Sequence, residues 1–332
     1  MSKLPSPRGD LTGFLLDHLQ QGLHSLPVGP PPDDADDLHL ALYLCYELHY
    51  RGLPGVDADW EWEPSLLALR RGLEARFESE LLASVPREET TVAPEEMDVV
   101  LREIEEADDA PALSTYLERE GTLDQFREFA VHRSAYQLKE ADPHSWALPR
   151  LSGAPKAALV EIQADEYGGG RPERIHATLF AKTMRALGLD DGYGAYLDIL
   201  PAVTLRTVNL MSLFGLHRRL RGAIIGHLAL FEMTSAIPNR RNGNGLRRLG
   251  LGDDATDFFD EHVTADAVHE AVAAVDLAGG LVRQDPSLAP DVLWGARCLL
   301  AVEADWARHL LAAWAVAKTS LCEPLRLPAS AA

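Results

Sequence analysis

Two histidines and a carboxylate lie at helical spacing in the C-terminal third of the chain: His262, Asp266 and His269, within FFDEHVTADAVHEAVAAV. The spacing i, i+4 and i+7 places all three on one stripe of an α-helix. Imidazole nitrogens and carboxylate oxygens are ligands for transition metals. A buried helix tolerates such a stripe only where its polar groups have partners. The run therefore predicts a helix that supplies some of the ligands of a metal site.

Further candidate ligands precede this run. Glu173 and His176, in PERIHATLF, have the Glu-x-x-His spacing with which carboxylate-bridged di-iron bundles point two ligands inward from one helix. Glu166 stands at the end of the preceding predicted helix, just before three consecutive glycines that allow a sharp change of direction. Glu140 ends an earlier predicted helix, two residues before an Asp-Pro break.

The combined set holds three histidines and four carboxylates: Glu140, Glu166, Glu173, His176, His262, Asp266 and His269. Zinc takes about four ligands, so this set suits two metals that share bridging carboxylates. Nitrogen and oxygen donors without cysteine favour iron or manganese. Iron with open coordination positions binds and reduces dioxygen, which indicates an oxidase or oxygenase without catalytic residues separate from the ligands. Taken singly, each motif is also compatible with a salt-bridged pair on a helix surface.

The elements that must position these residues are all helical. Apolar residues recur at helical spacing from Leu38 onward, and no alternating run predicts a strand. Pro238 and the following NRRNGNG predict a loop. Helices are expected at about 38–50, 64–85, 94–107, 111–120, 122–140, 155–167, 172–187, 192–214, 217–236, 254–276 and 290–318.

The domain organisation follows from this pattern. Residues 1–35, rich in Pro and Asp towards their end, are expected to be a flexible segment, and residues 36–120 an N-terminal helical region. Residues 121–320 would form the metal-binding bundle, and residues 321–332 a C-terminal tail. The boundary near residue 120 has no long linker to mark it.

Bulk composition excludes several classes of protein. The formal net charge of −20 disfavours a nucleic-acid or anionic-membrane partner, because phosphate binding needs a basic surface. Three scattered cysteines favour a reducing cytoplasm over a disulfide framework. No apolar run approaches the roughly 20 residues of a membrane span. A small-molecule substrate is the expected partner, and a homodimer is compatible with general frequencies of assembly.

Three segments in a fixed order carry a family resemblance: KEADPHSWALPRL, VEIQADEYGGGRPERIH and HVTADAVHE. They resemble the bacterial iron-containing redox enzymes of the heme-oxygenase-like di-iron oxidase superfamily, over about residues 125–320. The resemblance implies a heme-oxygenase-like helical bundle that holds two ferrous ions and uses O2 as co-substrate. It implies Glu140 as the first-helix ligand, and Glu166, Glu173 and His176 as second-helix ligands. The third helix would supply His262, Asp266 and His269.

The same resemblance makes Glu232 a further candidate ligand, because some members use a carboxylate from the intervening helix. It implies oxidation of a small molecule, such as an amine or amino acid, by N-oxygenation, desaturation or C–C cleavage. Two alternatives stay open at this point. One is a heme-binding oxygenase of the same fold, which needs a single axial histidine. The other is a non-catalytic helical interaction protein.

Other polar residues have expected roles outside the ligand set. Arg133 and Arg150 are candidates for binding a carboxylate, because the guanidinium fork matches its geometry. His227 is interpreted as a histidine with its polar atoms satisfied in the core or beside a ligand. Asp165 is a candidate for holding a metal-binding histidine in place, as metal sites usually require.

Overall fold

The computed structural model describes residues 3–327, apart from the side chains of residues 265–268. The described residues are helical and contain no strand, as the sequence predicts. The α-helices are α1 Asp10–Leu19, α2 Ala35–Glu47, α3 Pro64–Ser84, α4 Met97–Glu106, α5 Leu113–Arg119, α6 Leu123–Gln137, α7 Asp142–Ser145, α8 Gly153–Glu166, α9 His176–Ala186, α10 Ala202–Leu216, α11 Arg221–Arg248, α12 Asp253–Ala271, α13 Gly280–Gln284 and α14 Ala289–Ala315. A π-helical stretch, Val272–Gly279, joins α12 to α13.

Local sequence explains where several helices begin. Thr122 caps α6 through a reciprocal pair of hydrogen bonds with Gln125, which satisfies backbone N–H groups that a helix start leaves free. Asp34 accepts from the backbone N–H of Asp37 at the start of α2. The α6 helix ends three residues before Glu140, which lies in the turn that follows.

The N-terminal segment contains a helix that the sequence analysis missed. Leu11, Leu15 and Leu19 of α1 are buried, and the carboxylate of Asp37 accepts hydrogen bonds from the backbone N–H groups of Leu11 and Thr12. One hydrophobic core runs from the leucines of α1 through the residues of α14. Residues on both sides of position 120 therefore contribute to the same core.

Helices α11 and α14 cross at very short range because glycine lies at the contact. A Cβ added at Gly226 would collide with the carbonyl of Val292, and one added at Gly295 would collide with the carbonyl of Ala223. This close crossing fixes α11, which carries Glu232. Helix α12 packs on both α11 and α9, so the candidate ligands of three helices face a common centre.

The predicted loop at Pro238 is wrong, because α11 continues through it to Arg248. Proline in a helix removes a hydrogen bond and crowds the preceding turn. Packing compensates for this cost: a Cβ at Gly245 would lie 2.6 Å from Phe126 and 2.9 Å from the Leu117 carbonyl. Arg248 also donates to the carbonyl of Glu118 at 2.7 Å.

No helix within the described part of the chain combines the length and the apolar character needed to cross a membrane.

Candidate metal centre

Buried carboxylates and histidines converge in two groups that share one residue. Each group contains ligand atoms that all lie within 4.8 Å of one another. The first group is Glu140, Glu166, His176 and His262, and the second is Glu166, Glu232 and His269. All of these side chains are buried. Glu166 belongs to both groups and therefore connects them.

The first group draws one residue from each of four segments. Glu140 comes from the turn after α6, Glu166 is the last residue of α8, and His176 is the first residue of α9. His262 comes from the middle of α12. His176 Nδ1 lies 2.9 Å from Glu166 Oε2, and His262 Nε2 lies 3.5 Å from Glu140 Oε1.

Backbone geometry aims Glu140 at this centre. The residue that follows it, Ala141, has φ of 71°, a left-handed conformation that residues other than glycine adopt infrequently. The side-chain amide of Gln163 on α8 donates to the Ala141 carbonyl at 2.9 Å and so helps to hold the turn. Sparsely populated backbone conformations of this kind cluster at functional sites.

The second group is completed by α11 and α12. His269 Nδ1 lies 3.4 Å from Glu232 Oε2, and His269 Nε2 lies 2.9 Å from Asp165 Oδ2. The placement of Asp165 matches the role predicted for it, because metal-binding histidines usually donate their second N–H to a carboxylate. Asp165 directly precedes Glu166, so the end of α8 supplies both a member of the two groups and a partner for His269.

Hydrogen bonding determines which nitrogen His262 turns towards the cluster. Its Nδ1 lies 2.7 Å from the carbonyl oxygen of Phe258, which can only accept, so Nδ1 carries the proton. The other ring nitrogen, Nε2, then faces Glu140, whose Oε1 lies 3.5 Å away. Histidine binds a metal through a ring nitrogen that carries no proton.

Buried atoms in the cluster lack hydrogen-bond partners among the described residues. They include Glu140 Oε2, Glu166 Oε2 and His176 Nδ1. The last two lie 2.9 Å apart without hydrogen-bond geometry. An unsatisfied buried polar group costs about 1–3 kcal/mol, and more when it is charged. A cation bound between these atoms would remove the cost, and the nitrogen and oxygen donors suit iron.

The pKa shifts of the cluster follow from burial and neighbouring charge. Burial raises the pKa values of Glu140, Glu166 and Glu232, and the charge of Glu166 raises those of the other two further. Burial, together with the charge of His262, lowers the pKa of His176 to about 4. Burial thus disfavours the charged forms of these three carboxylates and of His176.

His269 behaves differently from His176. Burial acts to lower its pKa, but the adjacent carboxylates Glu232 and Asp165 outweigh that effect and raise the pKa to about 9. Without a metal, His269 therefore carries a proton on each nitrogen near neutral pH. Metal binding at Nδ1 would replace one of these protons, as it does at other histidine sites.

Two predicted ligands fall outside the described cluster. Glu173 is exposed on the short 3-10 turn Pro172–Arg174, and α9 begins only at His176. This corrects the expectation that Glu173 and His176 project inward from one helix. Asp266 belongs to α12, but its side chain lies outside the described residues, so its predicted role stays a prediction.

Glu232 enters the cluster, although the sequence analysis placed it behind the seven main candidates. It is the single acid in the run AIIGHLALFEM of α11, whose other residues are apolar except for His227. Acids are almost never fully buried unless they are paired. An acid in such an apolar run was therefore the sequence signal that could have identified Glu232 as a candidate. Glu232 forms no recognisable motif with other polar residues of α11. Its partner, His269, lies on α12, so the pair is not visible as a spacing within one helix.

The other predicted polar residues have structural partners. Arg150 donates to the carbonyls of Gly215 and Leu216, so it terminates α10 and is not available to bind an acid. His227 is buried with its Nδ1 3.2 Å from His144 Nε2, which fits its interpretation as a core histidine. Burial lowers the pKa of His144 to about 3 and that of His227 well below its usual value.

A cavity of about 380 Å³ adjoins the cluster. Glu140 and His262 line it, and these two residues also line a smaller cavity among the ligands themselves. Aromatic side chains make up much of the larger cavity's wall: Phe129, Phe180, Phe231, Phe258, Phe259 and Trp306. Its size is within the range of about 300–1,000 Å³ typical of small-molecule sites.

Arg133 is part of the wall of this cavity. Both of its terminal nitrogens donate to the carboxylate of Glu303, at 2.9 and 2.6 Å. Its guanidinium also lies 3.9 Å from the centre of the Trp306 ring. The residue is therefore near the expected substrate position, but its charge is already balanced by an acid of the same chain.

Comparison with known proteins agrees with this geometry. A family model described as iron-containing redox enzyme matches residues 127–304, and all residues of the two ligand groups lie within that range. A nitrosourea synthase from Streptomyces achromogenes subsp. streptozoticus is 26% identical over 160 residues, which are 48% of this chain and 34% of that protein. The match thus spans about a third of the relative's length.

The family match covers more than half of the chain. The all-α arrangement is that of the heme-oxygenase-like bundle that the sequence predicted. The chain belongs to the family of iron-containing redox enzymes.

Proposed function

We propose that this protein is a non-heme di-iron oxidoreductase that uses dioxygen to oxidise a small organic molecule. The observation that carries the proposal is the pair of buried ligand groups joined by Glu166. One iron would be held by Glu140, Glu166, His176 and His262, and the other by Glu166, Glu232 and His269. Asp266 is proposed as a further ligand from α12. The chemistry supplied by bound ferrous iron is the reductive activation of dioxygen.

The chain's own residues position the reactants. Glu140 and His262 contact both the ligand cluster and the 380 Å³ cavity, so a substrate in that cavity lies beside the iron-binding residues. Phe180, Phe231 and Phe258 line the same space, and a substrate packed against these rings would displace water from it. Exclusion of water protects reactive species and strengthens the electrostatic interactions within the site.

Oxidation at nitrogen is the reaction class that we favour. The relative's name, nitrosourea synthase, refers to a product with oxidised nitrogen, and an amine is therefore a reasonable substrate. N-hydroxylation of an amine by one dioxygen inserts one oxygen atom into the N–H bond. The second oxygen atom leaves as water, and this requires two electrons and two protons from an external reductant. Desaturation or C–C cleavage of an amino acid would use the same centre.

The arrangement of the histidines favours two irons over heme. His176, His262 and His269 each have a carboxylate oxygen within 2.9–3.5 Å. A heme ligand instead presents one imidazole nitrogen to the open face of a porphyrin. A heme bound through one of these histidines would have to displace the buried carboxylates beside it, which would clash with the porphyrin and lose contact with their histidine partners.

Anaerobic titration with ferrous iron tests the proposal directly. We expect two irons per chain, and exposure of the loaded protein to oxygen in a stopped-flow instrument should produce a transient visible absorbance. Glu173→Ala is the matched control, because this acid is exposed and outside both groups. His176→Ala should lose iron, whereas Glu173→Ala should retain two. Binding of no more than trace iron by the wild-type protein would refute the proposed function.

A further inference from the structure

Three cavities near the ligand groups share residues of their walls. The first is the 380 Å³ cavity, called the large cavity below. The second is the small cavity among the ligands, called the ligand cavity, and the third lies against Arg133, Tyr136 and His227. Each of the two small cavities has a volume of about 10 Å³. In the part of the chain that the structure describes, Phe231 is the only residue that lines all three.

The boundary between the large cavity and the ligand cavity is short. Of the described residues, Glu140, Phe231, Ser235 and His262 line both. Phe231 is the only apolar side chain in this set. Glu140 and His262 belong to a ligand group, so bound metal would fix them in place. The Phe231 ring is therefore the apolar part of the boundary, and it can be changed without removing a proposed ligand.

Two aromatic neighbours hold the Phe231 ring in one orientation. The Tyr136 ring meets it edge to face, with centroids 5.8 Å apart and planes at 87°. The His227 ring stacks on it, with centroids 6.0 Å apart and planes at 13°. Aromatic pairs favour such edge-to-face and offset stacked arrangements. Tyr136 and His227 are themselves buried. Phe231 is therefore a fixed part of the boundary between the cavities.

The two cavities accept molecules of different size. A cavity needs about 10–15 Å³ to hold one water molecule. The ligand cavity, at about 10 Å³, has room for a molecule as small as water or dioxygen and none for an organic ring. Leu228 and Phe231 also give it an apolar side. The large cavity, by contrast, has the size of a site for an organic molecule.

We propose that dioxygen and the organic substrate occupy separate compartments, the ligand cavity and the large cavity, and that Phe231 keeps the substrate out of the first. This inference rests on the proposed function, because it places the two reactants of the same iron centre. The substrate then meets the ligand groups only at Glu140 and His262, which both cavities share. Phe231 thereby determines how far an organic molecule can advance towards the ligands.

Competition between two probes tests this inference. Nitric oxide, a diatomic that binds ferrous iron, replaces dioxygen, and fluorobenzene replaces the apolar part of the substrate. Fluorine NMR first gives the dissociation constant of fluorobenzene. The affinity of the anaerobic, ferrous-loaded protein for nitric oxide is then measured by visible absorbance, with and without fluorobenzene. Fluorobenzene at about ten times its dissociation constant should weaken nitric oxide binding about tenfold if the two compete fully.

Variants assign the separation to Phe231. Wild type should bind both probes together, with an unchanged affinity for nitric oxide. Phe231→Ala should show the tenfold competition, because fluorobenzene can then enter the ligand cavity. Phe231→Leu, a milder change, should show the same competition to a smaller extent. Phe129→Ala is the matched control, because it removes a ring from the large cavity and lines neither small one. It should bind both probes together, as wild type does.

The possible outcomes separate this inference from the proposed function. Circular dichroism and ferrous titration come first and show that each variant is folded and loaded with iron. Competition in wild type, no competition in the folded Phe231 variants, equal competition in Phe129→Ala, or no binding of fluorobenzene by wild type would overturn the inference alone. Trace iron in wild type would instead refute the proposed function, and this inference with it.

Discussion

Neutralising Glu166 should have opposite effects on the metal-free and the iron-loaded protein. Glu166 is buried, belongs to both groups, and raises the pKa values of Glu140 and Glu232 through its charge. Glu166→Gln keeps the size of the side chain and removes that charge. We expect the metal-free variant to be more stable than the metal-free wild type near neutral pH. The iron-loaded state should instead be weakened.

The magnitudes follow from the partners of this residue. One buried oxygen of Glu166 has no hydrogen-bond partner among the described residues, and leaving such a group unpaired costs about 1–3 kcal/mol. Removing its charge should recover about that amount in the metal-free state, which corresponds to a few degrees in Tm. In the loaded state, replacing a residue that merely supports a ligand already costs 10–100-fold in metal affinity. Loss of a shared ligand should therefore weaken binding by at least about 100-fold, or about 2.7 kcal/mol.

The sign of the pH dependence provides a separate check. Burial raises the pKa of Glu166 in the folded protein above its ordinary value of 4.5. A raised carboxyl pKa stabilises the folded state below the unfolded pKa, and this contribution is lost as pH rises through the folded pKa. The advantage of the metal-free Glu166→Gln variant should therefore be present at pH 7 and vanish near pH 4.

Calorimetric unfolding and iron analysis together test this reasoning. Tm is measured for wild type and Glu166→Gln, with and without ferrous iron under anaerobic conditions, and bound iron is counted after desalting. Glu173→Gln is the control, because it removes an exposed acid from the same region. The variant should bind less than one iron per chain. Retention of two irons, or a metal-free variant less stable than wild type at pH 7, would refute the assignment of Glu166 as the shared ligand.

Four other outcomes are expected. His262→Ala and His269→Ala should each lose about one iron per chain in ferrous titrations, because the two residues belong to different groups; loss of both irons in each variant would contradict separate groups. Asp165→Asn should weaken iron binding 10–100-fold in the same titration with unchanged circular dichroism. Ferrous affinity should rise about tenfold per pH unit between pH 6 and 8.5, because iron displaces a proton from His269, whose pKa is about 9. Gly226→Ala should lower Tm by several degrees, because its Cβ would collide with the Val292 carbonyl and overpacking costs about 1–3 kcal/mol.

Sequence reasoning was most accurate where a function depends on spacing within one helix. His262 and His269 are seven residues apart on α12, and the structure places one in each ligand group. His176 was named from its Glu-x-x-His spacing and Glu166 from its position before three glycines, and the two side chains do meet. The same logic was wrong for Glu173, because the chain forms a 3-10 turn there and α9 starts three residues later.

Long-range packing decided what local patterns could not. The segment after Pro238 has the composition of a loop, yet it is helical because Gly245 and Arg248 are held against Leu117, Glu118 and Phe126. The α1 helix was missed for a related reason. Its short sequence has no strong start signal, and its leucines are stabilised by burial in the shared core and by hydrogen bonds to Asp37.

The sequence by itself indicated the fold class and the family, and it named most of the residues that the structure brings together in the candidate site. These depend on residue type and on the 3.6-residue period, which a linear chain displays directly. Only the tertiary structure decided that Glu232 pairs with His269 and that Glu166 belongs to both groups of buried carboxylates and histidines. Such contacts join residues from different helices. The distances between these residues depend on how closely the helices pack. Glycines such as Gly226 determine that distance, because they allow close contact with residues far away in the sequence.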